Sequence, residues 1–213
     1  HLIPPPAILT YPPTIGTSLF IGIYISASKW HPGGSPAALN SVGFDFSNNY
    51  WCNLMLENGL NGIKNKARPV AITGIIILCI SMIIFFFQFA NHFEKHRIWK
   101  MTIKISGALA ILSAPFIFSE YHDIMTTVLS ISGTVVIIGM IRALHNNQLT
   151  FLKVMGIFCF LIIALNNFFY YNENLIQYGP LIQNGAFFLV SVDFIIFKSY
   201  FLSISFFSSL LCF

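Results

Sequence analysis

The stretch VAITGIIILCISMIIFFFQFA, Val70–Ala90, contains no charged residue and is opened by Pro69. Its length matches the roughly 20 apolar residues a helix needs to cross a bilayer. Pro69 sits where a helix tolerates proline, in the first turn, because the N–H it lacks would have had no partner there. A soluble helix of this length would carry a stripe of Lys, Glu, Asp or Arg to face water, and a strand of a membrane barrel would alternate with period two. Neither pattern is present, so the stretch reads as a membrane-spanning helix.

Working outward, five further apolar runs follow the same rule: residues 8–27, 103–118, 124–144, 151–169 and 181–197. Pro12 and Pro13 fall near the start of the first, which predicts a kinked entry. The expected fold is therefore all-α, a single six-helix transmembrane bundle over residues 1–213, with spans at about 8–27, 70–90, 103–118, 124–144, 151–169 and 181–197. A long polar loop, residues 28–69, joins the first two spans. The apolar tail, residues 199–213, follows Lys198 and carries five serines; it either extends the sixth helix or lies at the interface. Composition agrees. Of 213 residues, 56% are hydrophobic and 8% charged, against about 25% charged in an average soluble domain.

The net charge of +4 is spread between runs rather than gathered in a basic patch, which argues against nucleic-acid binding. Charge is more informative for orientation. With six spans, Lys95, Arg97, Lys100, Lys104, Arg142, Lys153 and Lys198 share one side with both termini, while Lys29, Lys64, Lys66 and Arg68 lie on the other. The positive-inside rule then puts both termini in the cytoplasm and the long loop outside. No basic segment precedes the first run and no small-residue cleavage pattern follows it, so a cleaved signal peptide is not expected. The cysteines, Cys52, Cys79, Cys159 and Cys212, show no metal-binding spacing and predict no disulfide framework.

Small residues mark helix contacts. Ser106, Ala110 and Ala114 recur every four residues in the third run, and Ser130, Ser132, Gly133 and Gly139 lie in the fourth. Such faces allow close backbone approach, and the two runs are expected to form an antiparallel hairpin. No inverted repeat relates the first three runs to the last three, which weighs against a transporter. The basic stretch NHFEKHRIWKMTIK, residues 91–104, reads as a cytoplasmic loop able to attract anionic headgroups.

Candidate chemistry gathers in three polar clusters that the topology puts on the outer face. One is the loop with Asp45, Asn49, Trp51 and Glu57. The second is FSEYHD with Glu120, His122 and Asp123, and the third is NNFFYYNEN with Asn166 and Asn167. Asp123 at a helix start is the ordinary partner of free N–H groups and of the helix dipole. The sharper reading makes His122 a general base oriented by Asp123 or Glu120. A metal site needs at least three ligands and His31 is the only other plausible outer histidine, so no metal and no cofactor is expected. Asn166 and Asn167 either bond between helices or line a ligand site. Trp30, Trp51, Tyr170 and Tyr171 read as interface anchors. Asn48, Asn49 and Asp45 read as partners of polar helix ends. Asp193 lies inside the sixth run, as an intramembrane carboxylate near Lys198.

The motifs YHDIMTTVLSISG, LNNFFYYNE and HPGGS…SVGFDFSNNYWCNLM…NGIKNKARPVAI together resemble a branch of the bacterial six-span membrane proteins gathered as domain-of-unknown-function family 998. That family is similar in architecture to eukaryotic DRAM/Sfk-type proteins. The resemblance runs from about Ser26 to Phe197 and implies six helices in a bacterial cytoplasmic membrane, but no reaction. Its recurring positions would be Pro32, Gly33, Gly34, Asn49, Trp51, Cys52, Leu54, Asn61, Gly62, Pro69, His122, Asp123, Asn166 and Asn167, with Lys64 and Lys66 departing from a more neutral pattern. The expected function is non-enzymatic: an outward polar pocket for a lipid headgroup or a membrane protein partner. The alternatives are an intramembrane lipid hydrolase or transferase using His122 and Asp123, and a small transporter with Asp193 as its ion or proton site.

Overall fold

In the computed structural model α1 is described over Tyr11–Ser28, with Pro12 and Pro13 at the start of that range; the residues before Tyr11, on which a kinked entry bears, lie outside the described residues. The structure describes residues 11–118 and 121–170, together with 172, 175, 178–183 and 185. Glu120, Asp193, most of the sixth apolar run and the tail lie outside the described residues.

The chain is all-α. After α1 come α2 (Arg68–Phe93), α3 (Arg97–Ser113), α4 (His122–Asn146) and α5 (Thr150–Tyr170). No strand forms among the described residues; isolated bridges pair Gly33 with Val42 and Asn58 with Lys64. By length and apolarity α2 and the Ile124–Asn146 part of α4 are able to cross a membrane. Only 33% of the most apolar window of α2 and 17% of that of α4 are buried.

Helix ends follow local chemistry. Pro115 cannot donate to Ile111, so α3 closes at Ser113 and continues as a 3-10 segment, Ala114–Phe118. The third helix also begins six residues before the expected run. Arg97, Lys100 and Lys104 therefore stand on a helix, not in a loop. At the far end of α4, Gln148 adopts a left-handed conformation (φ 58°), and the Leu149 N–H reaches the Leu144 carbonyl at 3.0 Å. That wrap satisfies the last carbonyls and starts α5 after a very short link.

Contacts divide the chain into two units. The first holds Leu78–Ile157, with the C-terminal part of α2, then α3, α4 and the start of α5. Its core is Phe85, Phe86, Phe89 and Phe93 of α2, Ile103 of α3, and Val136, Ala143 and Leu144 of α4. α3 and α4 pack antiparallel, with Gly139 late in α4 lying against Ile103 and Trp99 early in α3. The small-residue face is real but shifted. The buried stripe of α3 is Ile103, Gly107, Ala110 and Ser113, not Ser106–Ala110–Ala114, because the Phe86 ring of α2 takes up the space beside Gly107. A Cβ on Gly107 would stand 2.6 Å from that ring, whereas one on Gly133 would meet nothing within 4 Å. Gly107→Ala is expected to destabilise the protein by about 1–3 kcal/mol through overpacking. Gly133→Ala is expected to be neutral or slightly stabilising, and thermal unfolding of the two variants checks both.

The second unit holds Ser18–Ile77 and Phe158–Val190. Here α1 buries Phe20, Tyr24 and Ala27 at alternating spacings of four and three, and Gly74 of α2 lets the Tyr24 ring approach closely. The long loop folds onto this base. Trp51 is half-buried, stacked on Tyr24 (5.4 Å) and Phe20 (5.8 Å). It therefore pins the loop to α1; Trp30 remains exposed.

Candidate functional site

Backbone capture by asparagine side chains organises the long loop. Asn49 Nδ2 donates to the Gly34 carbonyl at 2.9 Å, and Asn61 Nδ2 donates to the Pro32 carbonyl at 3.1 Å. Asn65 is buried, and three carbonyls converge on its Nδ2, those of Asn53 (3.3 Å), Leu54 (3.0 Å) and Leu56 (3.0 Å). Its Oδ1 accepts the Ala67 N–H at 3.0 Å. Asp45 takes the Ser47 N–H (2.8 Å) and the Asn48 amide (2.6 Å), and these bonds hold its carboxyl below the usual carboxylate range. So the described bonds of Asp45, Asn48 and Asn49 lie within the loop, within three residues for Asp45 and on the Gly34 turn for Asn49.

The Gly33–Gly34 turn is the centre of this arrangement. Both glycines have positive φ (116° and 82°), and a Cβ on Gly33 would stand 2.1 Å from the Ser41 carbonyl. Only glycine fits there. His31 is buried beside the turn, its Nδ1 accepting the Gly33 N–H at 3.2 Å and its ring edge-on to Phe44 at 5.4 Å. Burial pushes the imidazole below its ordinary pKa, while the Asn53 main chain acts in the opposite direction. Buried polar atoms around the turn lack a hydrogen-bond partner of ordinary geometry: His31 Nε2, Ser41 Oγ, Asn49 Oδ1 and Asn53 Nδ2. Such atoms cost free energy unless something polar meets them.

This gives a pH dependence. A neutral imidazole can accept from Gly33, but an imidazolium carries a proton on both nitrogens and cannot. The folded form thus prefers neutral His31. Its contribution is complete above the unfolded value of about 6.5 and is lost as pH falls from there through the lowered folded value. Hydrogen exchange of residues 29–67 is expected to accelerate as pH drops below this range, after correction for intrinsic exchange. A His31→Gln variant is expected to lack that dependence.

Burial pushes the Cys52 thiol up to about 12, which disfavours the thiolate at neutral pH. Among the described residues no group of three His, Cys, Asp or Glu side chains is able to hold a metal.

Asp45, Asn49 and Trp51 belong to the second unit, as do Asn166 and Asn167 in the last turns of α5. His122 and Asp123 form the first residues of α4 in the first unit. The side chains of His122, Asp123, Asn166 and Asn167 lie outside the described residues. No family model, curated protein or solved structure matches this chain.

A second charged feature escapes inspection of the sequence. Glu94, just after α2, is 3% exposed and pairs with Arg142 of α4 at 2.5 Å. Its other oxygen accepts the His96 N–H at 2.8 Å, at the start of α3. Arg142 lies over the Trp99 ring at 5.1 Å, and Asn147 Nδ2 donates to the Phe93 carbonyl at 2.7 Å. One carboxylate thereby ties the end of α2, the start of α3 and the end of α4. The available signal was an acid alone among Lys95, Arg97 and Lys100. Its partner, 48 residues away, has no sequence signature.

Proposed function

We propose that this chain is a multi-pass membrane protein with six spans, both termini cytoplasmic, whose folded outer loop presents a non-enzymatic polar site for a lipid headgroup. The observation that carries the reading is the chemistry of the outward helix faces. On α2 the exposed residues are Ile72, Ile76, Ile80, Ile84 and Phe87; on α3, Ile98, Met101, Ile105, Leu109 and Leu112; on α5, Phe151, Val154, Phe158, Leu161 and Leu165. Continuous apolar stripes facing away from the core suit lipid and not water. The low burial of α2 and α4 also speaks against core helices of a soluble domain.

The loop supports the headgroup half of the proposal. Its asparagine clamps and the Trp51 stack favour a built cap over a loose lid, and the unpartnered atoms around Gly33–Gly34 supply both donors and acceptors. The resemblance to family 998 fits this reading as to architecture and adds no activity.

Two measurements on the full chain test it. With single cysteines in a background lacking the native ones, a membrane-impermeant thiol reagent on intact cells is expected to label position 64 and to spare position 100. The opposite pattern would place the loop inside. Protein purified in mild detergent is expected to carry lipid that is depleted in an Asn53→Leu variant. Recovery of a stoichiometric protein and no lipid would instead make the loop a partner surface.

A further inference from the structure

The start of α3 is rich in positive charge, set against the Glu94 carboxylate on the His96 N–H. Arg97 opens the helix and Lys100 and Lys104 follow, with no acidic residue in the first turn and no side-chain cap from His96. Cations at a helix N-terminus oppose the dipole, which favours anions there. The nearest acid, Glu94, is already committed to Arg142 and to the His96 N–H, so it does not neutralise Arg97. Positive-inside topology explains why cations lie at this end, but not why they occupy the first two turns of a helix rather than the link before it.

The same helix face carries a shallow groove of about 460 Å³, lined by Arg97, Ile98, Met101, Thr102, Ile105 and Ser106. Its chemistry is graded along the helix. Arg97 is exposed at one end, and Ile98, Met101 and Ile105 form exposed apolar walls beyond it. Thr102 spends its hydroxyl on the Ile98 carbonyl at 3.0 Å, which leaves its methyl as the outward chemistry. Lys100 follows Arg97 at i+3, a spacing that brings two side chains to the same side of a helix. A guanidinium followed by about two turns of apolar wall matches a molecule with an anionic head and a hydrocarbon tail.

We propose that this groove holds one anionic phospholipid, its phosphate at Arg97 and Lys100 and an acyl chain along Ile98, Met101 and Ile105. The proposal rests on the membrane reading above but concerns the segment that follows α2 in the chain, whereas the outer loop precedes α2. The lipid phosphate adds counter-charge to Arg97, and its chain covers apolar surface that the described fold leaves open.

The test is native mass spectrometry of the full-length protein in mild detergent, titrated with phosphatidylglycerol or phosphatidylcholine of identical chains. The wild type is expected to retain phosphatidylglycerol preferentially. Arg97→Gln is expected to lower its occupancy about fivefold, the effect of one cation near an anionic headgroup, while Lys153→Gln leaves it unchanged. Met101→Ser is expected to weaken retention of both lipids, since it removes apolar wall and no charge. Equal retention of the two lipids by the wild type would overturn the proposal. So would an equal loss in the Lys153 and Arg97 variants, or displacement of the lipid by millimolar inorganic phosphate. Alkaline carbonate extraction separates the two levels of failure. Protein released from the membrane sinks the membrane reading itself, whereas protein retained there without lipid preference sinks only this site.

Discussion

Replacing Arg142 by alanine is expected to destabilise the protein by about 3–5 kcal/mol, the cost of leaving a buried charge without its partner. Glu94 is 3% exposed, and beyond Arg142 its remaining bond is to the His96 N–H. Without the guanidinium the carboxylate must draw in water or pull apart the junction of α2, α3 and α4. The reverse substitution, Glu94→Gln, is expected to cost less. Arg142 is 34% exposed, retains the Trp99 ring beneath it, and is able to turn its charge towards solvent. Unfolding of both single variants and the double variant measures the coupling. An Arg142→Ala cost near the 0–1 kcal/mol typical of surface pairs would mean that Glu94 is solvated in the folded state.

Asn65→Leu is expected to be the second most damaging change, at about 3 kcal/mol or more. It removes the donor shared by the Asn53, Leu54 and Leu56 carbonyls and the acceptor of the Ala67 N–H. Each buried group left unmet costs about 1–3 kcal/mol. The isosteric Asn65→Asp variant sharpens the point, because a carboxylate has no proton to give and would face three carbonyl oxygens. It is expected to be at least as harmful as leucine despite its matching shape. Limited proteolysis within residues 50–67 reads both variants, and wild-type resistance in Asn65→Asp would show that packing rather than hydrogen bonding holds the segment.

These two sites show where sequence reading succeeds and where it stops. The runs 70–90, 124–144 and 151–169 fall inside α2, α4 and α5 and miss their ends by one to three residues, because an unbroken apolar stretch admits few alternatives. The third run missed the start of α3 by six residues. Lys100 and Lys104 looked like loop residues, yet both continue the helix, and the Lys104 ammonium stands 5.5 Å over the Phe87 ring of α2. The motif NGIKNKARP was visible as a pattern, but its physical content was not. Asn61 holds Pro32, Gly62 takes a positive φ of 80°, Asn65 clamps the 3-10 turn Trp51–Met55, Ala67 is fully buried and Pro69 stands in the first turn of α2.

Sequence alone determined the helical class of this protein, the approximate position of the apolar helices among the described residues and the place of turns such as Gly33–Gly34. Those properties follow from local composition, from the length of apolar runs and from the backbone freedom of glycine and proline. Tertiary structure alone decided the rest. It set which helix face is buried, shifting the contact stripe of α3 to Ile103, Gly107 and Ala110 because Phe86 lies opposite. It paired Glu94 with Arg142, turned Trp51 inward onto Tyr24, and made His31 a neutral acceptor for the Gly33 turn. Each of these depends on which distant residue arrives beside a side chain, and a one-dimensional pattern carries no record of that.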